Sequence, residues 1–238
     1  MIYLVDNKKV NIPVENPPYD KGSEGKVYKR GNSIYKIYYP EMLNENYGNK
    51  ERHHKYFLTI PTTQIILPDQ TIYTTEGDYV GYRTPYIPGN RKQKTGITKL
   101  PKEEFIKNLQ VLESDFDLLS EHYVLAADVS PVNYIFNKRN HTMNVIDPGR
   151  YRHHCFDDLT SYKRQNRKQY EHLIELLLYI DFMEYKPVNS KRKILELRHY
   201  LNEIRRETDQ KESEFWQERL EGFESVDDFA KSLKKYIK

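Results

Sequence analysis

Three polar residues in the middle of the chain have the types and spacing of a metal-assisted reaction site. Asp128 lies in AADVSPVNYIFN, Asn133 follows five residues later, and Asp147 comes fourteen residues after Asn133 in NVIDPGRY. Asn133 and Asp147 offer the oxygen ligands that Mg²⁺ prefers. Asp128 is then free to accept a proton from an incoming hydroxyl. Taken singly, each residue is also typical of a turn in which an Asn or Asp side chain caps the backbone.

A second group of candidates lies in YDKGSEGKVYKRGNSIYKIYYP, residues 19–40. Gly22 and Gly25, with Ser23 between them and Val27 after them, fit a turn between strands that lays backbone N–H groups over phosphate. Lys36 follows in an otherwise apolar strand. A buried lysine there needs an anion, and phosphate oxygens would supply it. A plain hairpin and a solvated strand lysine are the alternatives.

The elements that must position these residues change in type along the chain. Short β-branched and aromatic runs predict strands at 26–29, 33–39, 64–67, 71–75 and 79–86, with one helix at about 41–58. After a basic turn at 88–94, apolar periodicity predicts helices at about 102–122, 162–184, 190–208, 212–220 and 225–237. A short β section at 124–151 interrupts them. The sequence therefore predicts an α+β protein with a β-rich N-terminal lobe, 1–88, and a helical C-terminal lobe, 89–238.

Composition narrows the class of protein. Charged residues make up 31% of the 238 residues, the net charge is +3, and Cys155 is the single cysteine. One cysteine fits a reducing compartment. Neither a signal-peptide pattern nor an apolar run long enough to span a bilayer is present, so we expect a cytoplasmic protein without a membrane partner. The small net charge argues against nucleic acid as a partner.

The ordered set of glycine turn, strand lysine, Asp-x-x-x-x-Asn and Asp-x-Gly resembles the protein kinase superfamily. The resemblance covers about residues 19–151 and implies a bilobal fold that binds ATP and Mg²⁺. In that family, the glycine loop covers ATP, and a strand lysine binds its phosphates and pairs with a helix glutamate. A loop aspartate orients or deprotonates the acceptor hydroxyl. The resemblance thus implies a phosphotransferase that acts on a hydroxyl of a protein or a small molecule.

Roles carry over from the family residue by residue. Lys36 and Asp128 become the catalytic residues, while Asn133 and Asp147 become the magnesium ligands. The residues implied to contact or support ATP are Gly22, Ser23, Gly25, Val27, Lys36, Glu51, Tyr86 and Ile87. Glu51 is the helix glutamate expected to pair with Lys36, with Glu45 as the alternative, and Tyr86 and Ile87 belong to the hinge that holds adenine.

Several departures from the family pattern leave the acceptor open. Asp20 replaces the first loop glycine, Ala126 and Ala127 replace the His-Arg before the catalytic aspartate, and Pro148 replaces the Phe of Asp-Phe-Gly. No Ala-Pro-Glu motif follows. These features indicate a compact, atypical member without activation-loop phosphorylation.

Two other function classes stay open. The same departures favour a nucleotide-binding pseudokinase or scaffold module without turnover. The basic run at 91–99 is the feature that a nucleic-acid binder would use. A metal site at 153–155, His-His-Cys, is a further alternative reading.

Overall fold

A seven-stranded antiparallel sheet forms the N-terminal lobe. The computed structural model describes residues 2–12, 17–43, 49–89, 96–137, 139–183, 190–204 and 210–233. The strands are β1 (Ile2–Val5), β2 (Lys8–Asn11), β3 (Asp20–Lys21), β4 (Gly25–Arg30), β5 (Ser33–Tyr38), β6 (Gln70–Tyr73) and β7 (Tyr79–Pro85). Their order is β2-β1-β6-β7-β5-β4-β3, which places β5 between β4 and β7.

The sequence did not predict the first hairpin, β1–β2. Asp6 and Asn7 connect its strands, and both have positive φ angles, 52° and 59°. Two such residues in a two-residue turn match the twist of an antiparallel pair, and Asp and Asn tolerate this conformation. Tyr3 and Val5 of β1 join the apolar cluster of the sheet, together with Ile72.

Helix α1 (Lys50–Phe57) packs against β6 and β7. Asn49 caps it by accepting a hydrogen bond from the Arg52 N–H at 2.9 Å. Lys50, His54 and Phe57 are its buried residues and lie on one face at helical spacing. The predicted helix at 41–58 is therefore shorter. A 3₁₀ turn occupies Pro40–Leu43, and Glu45 lies outside the described residues.

The predicted strand at 64–67 is wrong. Within this segment only Ile65 forms a bridge, to Val145. The Asp115 carboxylate accepts hydrogen bonds from the backbone N–H groups of Thr63, Gln64 and Ile65 at 2.6–3.0 Å. A buried side chain thus satisfies donors that a neighbouring strand would otherwise pair.

The C-terminal lobe is mainly helical, as predicted. Its elements are α2 (Lys102–Glu121), β8 (Val124–Leu125), β9 (Tyr134–Asn137), β10 (Thr142–Val145), β11 (Arg152–His153), α3 (Leu159–Met183), α4 (Ser190–Ile204), α5 (Glu212–Leu220) and α6 (Val226–Leu233). Antiparallel pairs β9–β10 and β8–β11 form from the strands that come between α2 and α3 along the chain. The fully buried Trp216 belongs to the core of this lobe. The α+β, two-lobed architecture is confirmed.

None of the helices in the described part of the chain combines the length and the apolar character that crossing a membrane requires.

Candidate active site

A cavity of about 220 Å³ lies between the sheet and the β9–β10 hairpin. Apolar side chains of both lobes form part of its wall: Val27, Ile34, Ile135 and Ile146. Three polar residues of the predicted site also line it: Lys36, Asn133 and Asp147. Apolar walls with a few convergent polar groups are typical of a small-molecule binding site.

The two glycines of the predicted loop have different surroundings. The Gly22 N–H donates to the Gly25 carbonyl at 3.0 Å, which closes the turn. Gly22 lines the cavity, and a Cβ there would meet nothing within 4 Å. A Cβ on Gly25 would lie 2.2 Å from the Ile37 carbonyl oxygen, so this glycine lets β4 approach β5 closely. Ser23 lines a second cleft on the other side of the loop.

The predicted hinge residues, Tyr86 and Ile87, line the first cavity directly after β7. The Tyr86 N–H donates to the Asn32 carbonyl at 2.9 Å. The Lys29 ammonium lies 3.5 Å from the centroid of the Tyr86 ring, close enough for a cation–π interaction. These contacts fix the backbone and the ring of Tyr86 at the edge of the cavity.

Lys36 is a buried lysine whose charge is balanced by two carboxylates. It lies on β5, paired with Val27 on β4 and with Tyr82 on β7. Only 7% of its side chain is exposed. Its Nζ donates to Asp147 Oδ1 at 2.5 Å and to Glu24 Oε2 at 3.2 Å. Lys36 is therefore not a solvated strand lysine.

The prediction that Glu51 pairs with Lys36 is wrong. Glu51 Oε1 instead accepts hydrogen bonds from Lys55 Nζ at 2.7 Å and from the Tyr73 hydroxyl at 3.1 Å. The reason is the phase of α1, which turns Lys50 toward the site and rotates its neighbour Glu51 by about 100° around the helix axis. The helix thus offers a cation where the family pattern has an acid.

Glu24 supplies the missing carboxylate from the glycine turn. Its Oε1 accepts a hydrogen bond from Lys50 Nζ at 3.2 Å and lies 3.6 Å from Arg150 Nε. Burial alone would raise the pKa of Glu24, but the charges and hydrogen bonds of Lys36 and Lys50 outweigh it and lower that pKa. The carboxylate is therefore ionised at neutral pH. Glu24 is not among the residues predicted from the sequence, although the sequence places this acidic residue between Gly22 and Gly25.

Gly149, of the Asp-Pro-Gly segment, makes room for this cluster. A Cβ at position 149 would lie 2.8 Å from both Glu24 Oε2 and Lys36 Nζ. The Gly149 carbonyl also accepts a hydrogen bond from Lys50 Nζ at 2.9 Å. Burial lowers the pKa of Lys50, and the Glu24 carboxylate opposes that shift.

Asp147 and Asn133 lie on two loops that hydrogen bonds hold together. The Ile146 N–H donates to the Asn133 carbonyl at 2.7 Å. Asp147 has a left-handed backbone, φ 61° and ψ 65°, and its carboxylate accepts the Tyr82 hydroxyl at 2.9 Å. Burial favours a raised pKa for Asp147, but Lys36 and the hydrogen bonds to the carboxylate lower it. An ionised carboxylate and a nearby amide are a donor set that suits a hard cation.

Asp128 lies beside this pair. Asn133 Nδ2 donates to the Asp128 carbonyl at 2.9 Å, and no described residue donates to Asn133 Oδ1. The Asp128 carboxylate is 42% exposed and lies 3.6 Å from Arg150 Nε. Its φ of 62° lies in the left-handed region, which Asp tolerates better than most other residues.

Asn166 on α3 holds the loop that carries Asp128. Asn166 Oδ1 accepts a hydrogen bond from the Ala126 N–H at 2.9 Å, and its Nδ2 donates to the Val124 carbonyl at 2.8 Å. Asn166 is not among the residues predicted from the sequence. The pattern that could have identified Asn166 is a polar residue among the buried positions of α3, between Tyr162 and Tyr170.

The His-His-Cys run makes aromatic and backbone contacts. The rings of His153 and Tyr56 stack with centroids 3.7 Å apart, and the Cys155 N–H donates to the Tyr162 hydroxyl. Burial, followed by the neighbouring His154, His53 and Arg52, lowers the pKa of His153 to about 4. Within the described residues, no group of three or more His, Cys, Asp or Glu side chains is arranged to hold a metal. Residues 91–95 of the basic run lie outside the described residues.

Comparisons with known proteins give a likeness in structure. No family model and no curated protein matches the sequence. The crystal structure of the Mycobacterium tuberculosis PknI kinase domain, a double mutant, has a TM-score of 0.49 and 14% sequence identity to this chain. The match covers 92% of this chain and 93% of that chain. The order of elements along this chain, a sheet with one helix followed by a mainly helical lobe, is that of a two-lobed α+β protein.

Proposed function

We propose that the protein transfers the γ-phosphoryl group of ATP to a hydroxyl of a protein or small-molecule acceptor, with Mg²⁺. One observation carries the proposal. Lys36, Asn133 and Asp147 line a single cavity with apolar walls, and Asp128 lies directly beside them. Each of these residues has an ordinary structural explanation alone, but the group supplies the charges that phosphoryl transfer requires.

Each residue has its own role in the proposed transfer. Val27, Ile34 and Ile135 offer an apolar surface for the adenine ring, and Lys36 binds phosphate oxygens. Asp147 and Asn133 are the residues that would hold Mg²⁺, which would supply positive charge to offset the charge developing on the phosphates. Asp128 orients the acceptor hydroxyl and takes its proton. The acceptor oxygen then bonds to the γ-phosphorus as the bond to the ADP oxygen breaks, and ADP leaves.

A nucleotide-binding module without turnover is the second candidate, and the residues that precede Asp128 favour it. Ala126 and Ala127 add no polar group next to Asp128.

The test is to incubate the purified chain with Mg²⁺ and ATP labelled at the γ-phosphate. The proposal predicts magnesium-dependent transfer of label to an acceptor, to the protein itself or to water. Lys36→Met should abolish this transfer. Lys55→Met, at an exposed lysine on α1, should not. ATP binding without any release of label would establish the second candidate, and failure to bind ATP would refute both.

A further inference from the structure

A second cleft, of about 590 Å³, lies on the other side of the glycine turn from the nucleotide cavity. It is bounded by the turn, by α1 and by the segment that follows Asp147. Three cations line it, Lys50, Arg150 and Arg152, against a single carboxylate, that of Glu24. The cleft therefore has an excess of positive charge, to which the proposed reaction assigns no role.

The positive charge of the cleft lowers the pKa of a neighbouring histidine. His53 lines the cleft, and its pKa is lowered first by burial and then by the charges of Arg52, Lys50 and Arg152. Arg152 is exposed, and no acidic side chain of the described residues lies within ion-pair distance of it. Its guanidinium is therefore available to a ligand. A guanidinium is well suited to bind a phosphate through two parallel hydrogen bonds.

The cleft adjoins both reacting groups of the proposed reaction. Arg150 Nε lies 3.6 Å from Glu24 Oε1 and 3.6 Å from Asp128 Oδ2, so it links the cleft to the proposed base. Glu24 in turn contacts Lys36, which lines the nucleotide cavity. A ligand anchored in the cleft would therefore have its neighbouring atoms beside Asp128.

We propose that this cleft binds a phosphate group carried by the acceptor, next to the hydroxyl that receives the new phosphoryl group. The inference rests on the proposed function and narrows the acceptor to phosphomonoesters. Lys50 and Arg150 share the Glu24 carboxylate, and Arg150 also lies 3.6 Å from Asp128. Arg152 is the cation of the cleft that has no carboxylate partner among the described residues, and a phosphate can bind it through two hydrogen bonds. The buried hydroxyl of Tyr151, which also lines the cleft, has no hydrogen-bond partner among the described residues.

Calorimetric titration tests the proposal. The full chain is first saturated with a non-hydrolysable ATP analogue and Mg²⁺, which occupies Lys36, and inorganic phosphate is then titrated. We expect saturable binding that Arg152→Gln weakens by about tenfold, the effect of losing one charge-assisted contact. Arg139→Gln, which removes an exposed arginine in the β9–β10 turn, is the matched control and should bind as the wild type does. Acetate should bind more weakly than phosphate.

The two proposals can fail separately. If the analogue does not bind, the proposed function fails, and the same pair of variants then judges the cleft in the nucleotide-free protein. The cleft proposal is overturned if phosphate does not bind the wild type at millimolar concentration, or if Arg152→Gln and Arg139→Gln bind it equally. Titrations with a phosphoserine peptide and with a sugar phosphate distinguish the source of the group, because the true source should bind more tightly than inorganic phosphate.

Discussion

Replacing Glu24 by glutamine should destabilise the protein, because this carboxylate offsets three cations. Its side chain is 12% exposed and lies 3.2 Å from the ammonium groups of Lys36 and Lys50 and 3.6 Å from Arg150. Removing one partner of a buried ion pair costs about 3–5 kcal/mol. Glutamine keeps the shape and one acceptor oxygen, so we expect Glu24→Gln to lower the free energy of unfolding by about 2–3 kcal/mol.

Urea unfolding, followed by the fluorescence of the buried Trp216, measures this loss. Glu51→Gln is the matched control. It breaks the exposed pair with Lys55 and should change stability by less than about 1 kcal/mol. Equal losses in the two variants, or a Glu24→Gln protein as stable as the wild type, would refute the assignment of Glu24 as the carboxylate that supports Lys36.

Three further predictions concern pH, the glycine turn and the proposed metal ligands. The pKa of Glu24 in the folded protein is lowered from 4.5, so its contribution to stability is present above pH 4.5 and is lost as the pH falls through the lowered pKa. Unfolding measured at decreasing pH should show this loss of stability in the wild type and less of it in Glu24→Gln. Gly25→Ala, whose Cβ would meet the neighbouring strand, should lower the melting temperature, whereas Gly22→Ala should leave it nearly unchanged; equal melting temperatures would contradict this account. Asp147→Asn should remove the part of the ATP affinity that depends on Mg²⁺. Calorimetry of ATP binding, with magnesium and with a chelator, checks this. Equal ATP affinity of the wild type under these two conditions would exclude the metal site.

Sequence alone located the residues whose positions follow from local structure. Lys36 lies in a strand after a tight turn, and Asn133 and Asp147 flank a hairpin of two short strands. Turn chemistry and strand periodicity specify such placements within a few residues. That Lys36 lies at one cavity with Asn133 and Asp147 was implied by the resemblance to protein kinases and not by spacing alone.

The ion-pair partners could not be predicted in the same way. A shift of one residue in the start of α1 exchanges Lys50 for Glu51 on the buried face, and local sequence does not determine helix boundaries so closely. The contact of Glu24 with Lys50 and Arg150 depends on how the turn folds over the helix, which is a tertiary property. Asn166, more than thirty residues from Asp128, supports its loop through the same kind of long-range packing.

The central claim, that Asp128 serves as the base of a phosphoryl transfer, is tested most directly by measuring transfer rate and ATP affinity together in Asp128→Ala. Losing a positioned base typically costs about 10²–10⁴-fold in rate. Asp117→Ala, at an exposed position of α2, is the control and should keep the wild-type rate. We predict that Asp128→Ala binds ATP with Mg²⁺ nearly as the wild type does but transfers phosphate slower by that factor. An active wild type with an equally active Asp128→Ala variant would contradict the account.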